Sequence, residues 1–144
     1  GMERARLLRR FPDALEGQPP PPVADAIATI VRHLGGGSPD LDSIELDMTG
    51  VQEFDRRVYE IARAILRGAT MTYGEVAAQL GDPAAARAVG QALGRNPFPI
   101  IIPCHRVLAA AGRPGGFSAH GGVATKLRLL AIEGAPGNAE FDFQ

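Results

Sequence analysis

The 144-residue chain has a single cysteine, Cys104, and only three histidines, at 33, 105 and 120. A lone thiol cannot close an internal disulfide or build a Cys-rich zinc centre, and the histidines are too scattered to suggest a metal cage. That scarcity favours a reducing, cytoplasmic setting, where a thiol stays free to react. No apolar run approaches the ~20 residues of a membrane span, and the chain does not open like a signal peptide. A membrane partner is therefore not expected. Gly1, ahead of Met2, resembles a residue left by tag removal and is set aside.

Carboxylates are the third shortage. Residues 83–132 contain no Asp or Glu, yet hold Arg87, Arg95, Arg106, Arg113, Lys126 and Arg128, a charge of +6. Residues 1–82 carry nine arginines against thirteen carboxylates, or −4, so the net charge of −1 conceals two unlike halves. A phosphate-facing surface explains the basic half, since Lys and Arg displace condensed counterions. So does a loop-rich half that happens to lack acids, and composition leaves the two even. Apolar content of 45% with 22% charged residues is that of one globular domain with a core.

The order of elements follows from periodicity and breakers. Residues 3–11 form a short amphipathic helix or arm, and Pro19–Pro22 a stiff spacer. Val23, Ile27, Ile30, Val31 and Leu34 stand at helical spacing before Gly35-Gly36-Gly37. A short strand is expected near Ile44–Met48. Phe54, Val58, Ile61, Ala62 and Ile65 form the next helical stripe, closed by Gly68. Thr72-Tyr73-Gly74-Glu75 is a capping box opening a helix through Leu80. Asp82-Pro83 caps another helix, Ala84 to about Leu93, and the pair makes a helix-turn-helix. Residues 97–103, with prolines at both ends, leave room for a short buried extended segment. Gly112–Gly122 is a loop, with a wing-like hairpin as one option. A last helix spans 123–133, with Leu127, Leu130 and Ala131 inward. The expected division is a reduced appendage and linker over 1–50, a DNA-binding domain over 51–137 and a tail over 138–144. The expected fold is mainly α and winged-helix-like, with a few short strands.

Cys104 closes the apolar run inside the basic half. A lone cysteine is most often an inert buried hydrophobe. His105 and Arg106, as cationic neighbours, are expected to favour its thiolate. Adjacent side chains on an extended chain point apart, so a bridging water or a turn is needed for His105 to take the thiol proton.

The segment Pro103-Cys104-His105-Arg106-Val107 resembles the active-site motif of the O6-alkylguanine-DNA alkyltransferases, the methylated-DNA–protein-cysteine methyltransferases. Four further segments resemble the family in order and spacing: Thr72-Tyr73-Gly74-Glu75-Val76-Ala77, Ala85-Ala86-Arg87-Ala88-Val89-Gly90, Arg95-Asn96-Pro97, and Lys126 with Glu133-Gly134. Five motifs in register over residues 47–136 are specific where one is not. The resemblance implies that Cys104 displaces an alkyl carbon, that His105 removes the thiol proton through a water, and that Glu133 orients His105. Tyr73 would donate to a flipped guanine, and Asn96 would hold the turn ahead of the cysteine. Val107, Phe117 and Ser118 would line the guanine pocket. Thr72, Ala86, Arg87, Arg95 and Arg106 would meet DNA, with Arg87 filling the gap left by the flipped nucleotide. Ala84, Ala85, Ala86, Ala88 and Gly90 would keep the helix thin. The implied partner is double-stranded DNA carrying O6-alkylguanine, met by a monomer that needs no cofactor and acts once.

The chain departs from the family pattern in several places. Phe117 stands where Tyr is common, Tyr59 where Trp is frequent, and Gly116–Gly122 is about two residues longer than usual. The strand-rich N-terminal domain is largely absent. Two rivals therefore stay open: a lesion-binding or regulatory protein that does not transfer, and a thiol hydrolase using Cys104 and His105.

Overall fold

Helix α3 (Glu53–Arg63) fully buries Val58 and Ala62 of the stripe expected of it, with Phe54 and Ile61 half-buried against the core and Ile65 buried just past its end. Tyr59 joins them and donates its hydroxyl to the Ala92 carbonyl at 2.6 Å. A buried phenol needs such a partner, and this one fastens α3 to the second helix of the helix-turn-helix pair. The computed structural model describes residues 1–117, 119 and 121–135. It places α1 at Met2–Arg10, α2 at Pro21–Leu34, β1 at Met71–Thr72, α4 at Tyr73–Gln79, α5 at Ala86–Gly94, β2 at Val107–Leu108 and α6 at Gly122–Ile132.

Local chemistry accounts for the helix-turn-helix. The Thr72 hydroxyl accepts from the Glu75 amide at 3.1 Å while the Glu75 carboxylate reaches back to the Thr72 amide, so both halves of the capping box form. Asp82 caps a single 3-10 turn, Pro83–Ala85, by accepting from the Ala84 amide, and α5 begins only at Ala86. Val76, Ala77, Val89, Ala92 and Leu93 close the core between α4, α5 and α3. The only sheet among the described residues is the parallel pair β1–β2, with Met71 opposite Val107 and Thr72 opposite Leu108.

Several expectations are corrected. Ile44–Met48 forms no strand. The Pro97–Pro103 segment is a turn rather than extended chain, with Ile100 in the left-handed region at φ 77°. Gly112–Gly122 shows no wing hairpin among the described residues, and a 3-10 turn at Ala110–Gly112 leads into it. In α6 the inward residues are Lys126, Leu129 and Leu130, while Ala131 is exposed. Helix α1 buries nothing, and α2 buries only His33, leaving Val23, Ile27, Val31 and Leu34 exposed. The tail over 138–144 lies outside the described residues.

Candidate active site

The turn before Cys104 is held by one side chain. Asn96, buried at the end of α5, accepts from the Phe98 amide at 2.8 Å and donates to the Ile102 carbonyl at 2.9 Å. Tying residues 98 and 102 to one amide draws the two ends of the segment together, which an extended strand would not permit. The cost is the left-handed Ile100, strain of ~1–3 kcal/mol that the surrounding packing holds in place. Cys104, His105 and Arg106 then form one buried 3-10 turn, and β2 leaves it to pair with β1, whose next residue is Tyr73. Cys104 and His105 thus sit on one buried turn rather than on an extended chain.

Glu133, at the C-terminal end of α6, is the hub. Its side chain is fully buried. One carboxylate oxygen accepts from Arg106 Nε at 2.8 Å; the other accepts from His105 Nε2, from Arg106 Nη2 at 3.2 Å and from His33 Nε2 at 3.3 Å. Burial alone would push this carboxyl up, but the His105 and Arg106 hydrogen bonds outweigh it and hold it near 2. A glutamate at a helix C-terminus opposes the helix dipole, and here its donors supply the compensation. The remaining Arg106 nitrogen, Nη1, donates to the Ile65 carbonyl at 2.6 Å.

These bonds assign tautomers. A carboxylate only accepts, so His105 carries its proton on Nε2, and Nδ1 is a lone-pair acceptor. That Nδ1 is buried and has no protein partner. Burial holds the imidazole below its ordinary pKa, which keeps it neutral and able to accept a proton. The expectation of a resting thiolate is overturned: burial raises the Cys104 thiol above its ordinary value, despite a hydrogen bond from Asn96 and the charge of Lys126. The cations that were to lower it are spent, because His105 is neutral and the Arg106 charge is neutralised by Glu133.

A cleft of about 560 Å³ opens over the sulfur, bounded by Tyr73, Ala86, Arg87, Gly90, Cys104 and Phe117, among others. Tyr73 is half-buried, and burial raises its pKa, so the phenol keeps its proton. Gly115, at φ +69°, lets the loop pass: a Cβ there would lie 2.5 Å from the Tyr73 hydroxyl. Arg87 is exposed on α5.

The other expected residues take varied positions. Arg106 is buried against Glu133 and is not a phosphate contact. Arg95 forms a two-bond pair with Asp55 at 2.8 and 2.9 Å. Thr72 is occupied in the capping box, the Val107 side chain is in the core, and Ser118 lies outside the described residues. Lys126, counted as surface charge from the sequence, is buried, donating to the Val107 carbonyl at 2.7 Å and the Gly116 carbonyl at 3.1 Å. Desolvation lowers its pKa to about 8. The basic half therefore presents Arg87, Arg95, Arg113 and Arg128 to solvent, with Arg95 paired to Asp55, and buries Arg106 and Lys126. His33 and Arg67 belong to the network and had no sequence signal. Among the described residues no group of three or more His, Cys, Asp or Glu is arranged to hold a metal, and no helix is long and apolar enough to cross a membrane.

Residues 53–135 match the family model described as the DNA-binding domain of 6-O-methylguanine DNA methyltransferase. A methylated-DNA–protein-cysteine methyltransferase of Methanothermobacter thermautotrophicus is 43% identical over 119 residues, covering 83% of this chain. The chain spans 65% of that relative's length. The crystal structure of Mycobacterium tuberculosis OGT in complex with DNA is 41% identical, with a TM-score of 0.71 over 81% of this chain and 71% of that one. The O6-methylguanine-DNA methyltransferase of Pyrococcus kodakaraensis is 36% identical, with a TM-score of 0.74 over 93% and 79% of the two chains.

Proposed function

The chain belongs to the 6-O-methylguanine DNA methyltransferase family, and from that premise we propose that it repairs DNA by moving the alkyl group of O6-alkylguanine onto Cys104. The observation that carries the reading is the unpaired lone pair of His105 Nδ1, buried in the same turn as the one thiol, behind a cleft walled by α5.

Sulfur attacks the alkyl carbon; the C–S bond forms as the C–O6 bond breaks, and that electron pair stays on guanine. The thiol proton passes through a bridging water to His105 Nδ1. Glu133 stabilises the imidazolium that results, in the order nucleophile, base, orienter. Because the thiol rests protonated, deprotonation accompanies attack. Tyr73 donates a hydrogen bond to the departing base, and the Lys126 ammonium stabilises charge on sulfur. The target base reaches the cleft only if rotated out of the duplex, with Arg87 filling the gap and the small residues Ala86 and Gly90 allowing close approach. Phe117 packs on the flipped base, and Thr72 and Arg95 flank the duplex.

The thioether is stable, so each molecule acts once, as a monomer, on double-stranded DNA and without a cofactor. A reducing, cytoplasmic location belongs to the same proposal. The alkyltransferase domain is residues 51–137, preceded by the appendage over 1–50. Intact mass spectrometry after incubation with an O6-methylguanine duplex tests it. One methyl per chain is expected, mapped to Cys104 and absent in Cys104→Ser. Binding without mass gain would favour the lesion-binding alternative.

A further inference from the structure

Two histidines far apart in sequence share one carboxylate oxygen. His105 sits on the active-site turn; His33 comes from the last turn of α2, in the N-terminal segment that otherwise buries nothing on that helix. His33 is 2% exposed. Its Nδ1 lies 2.9 Å from Arg67 Nη1, and a guanidinium can only donate. Nδ1 is therefore the acceptor, which puts the His33 proton on Nε2, aimed at Glu133 Oε1. Arg67 is itself anchored, donating through Nη2 to the Ile132 carbonyl at 3.0 Å, one residue before Glu133. The chain Arg67–His33–Glu133–His105 is thus directional, each group fixing the hydrogen-bonding sense of the next.

We propose that His33 is a positioning residue for alkyl transfer: with Arg67 it holds the Glu133 carboxylate, and through it sets the orientation of the His105 base. This makes the N-terminal segment part of the reactive apparatus rather than an ornament of it. The inference rests on the reading of Cys104 and His105 given above. The appendage anchors itself by apolar packing outside α2, through buried Leu41 and half-buried Leu46 and Met48. Helix α2, by contrast, leaves Val23, Ile27, Val31 and Leu34 exposed and buries only His33, a polar contact that ends at the carboxylate holding His105. The charged groups facing the network are Arg67 after α3, Arg106 on the active-site turn, Lys126 on α6 and, across a small pocket, Asp40, Asp42 and Arg63.

The test compares single-turnover methyl transfer by the full chain and two variants between pH 5 and 9. The amide of His33→Gln can accept from Arg67 and donate to Glu133, so it should transfer at close to the unmodified rate. His33→Leu removes the donor. Its rate should fall roughly tenfold or more, the scale of losing a fixed geometry at a reacting group. The acid limb of its profile should move upward, because a carboxylate with one donor fewer holds the His105 proton more strongly. If His33→Leu does not fold, His33→Asn, whose shorter amide cannot span both partners, takes its place with the same expectation. Equal rates and superimposable pH profiles for all variants would overturn the inference and leave alkyl transfer intact. Loss in His33→Gln equal to that in His33→Leu would overturn it too. No transfer by the unmodified chain would overturn the reading beneath it.

Discussion

Replacing Glu133 with glutamine tests the network most directly. The substitution keeps shape and removes charge. Four donors converge on the two carboxylate oxygens: His105 Nε2, His33 Nε2 and two nitrogens of Arg106. A glutamine offers one oxygen and an NH2 group, so at least one donor faces another donor. Arg106, 7% exposed, then keeps a buried charge with no counter-charge. Breaking a buried pair by removing one partner costs about 3–5 kcal/mol. Near the melting point that corresponds to a fall in Tm of roughly 10–15 °C for a chain of this size. Urea denaturation should show a lower midpoint at unchanged slope. Arg106→Met combined with Glu133→Gln should lose less than the sum of the single losses, because the second change removes the stranded charge. A loss below about 1 kcal/mol in Glu133→Gln, or strict additivity in the double variant, would refute the account of Glu133 as a charged hub.

Three further outcomes follow from the same geometry. The Glu133 carboxyl titrates at 4.5 when unperturbed and near 2 when folded, so its contribution is complete above 4.5 and lost as pH falls toward 2. That contribution is roughly 3 kcal/mol, and stability titrations of Glu133→Gln should lack this acid limb. Asn96→Ala strands the Phe98 amide and the Ile102 carbonyl and should cost roughly 2–4 kcal/mol by thermal denaturation; a loss under about 1 would remove Asn96 as the tie. Arg87→Ala should leave stability within about 0.5 kcal/mol, weaken duplex binding and reduce the salt slope by about one unit; an unchanged slope would take Arg87 off the DNA face.

Elements whose cause is local were legible in the chain. The capping box at Thr72–Glu75, the Asp82-Pro83 turn and the glycine stops after α2 and α4 each act over three or four residues, and all formed. The motif at Cys104 carried the family because it is contiguous. Expectations failed where the outcome hangs on a distant partner. The run Pro97–Pro103 has the composition of a short strand, but the Asn96 amide reaches both its ends and folds it into a turn. Arg106 and Lys126 carry the same formal charge as Arg87. Only the packing of α6 against the active-site turn decides that two of the three cations are buried and one faces solvent.

The sequence by itself determined the sulfur proposed as nucleophile, the imidazole beside it in the chain and the helix pair before them, since each is written in adjacent residues. Tertiary structure alone decided that burial shifts the Cys104 thiol upward and the His105 imidazole downward, because desolvation and through-space charge have no linear pattern to read. It also decided that a histidine one hundred residues from Glu133 meets it. Nothing near His33 in the chain hints at the carboxylate it binds, and only folding brings them within reach.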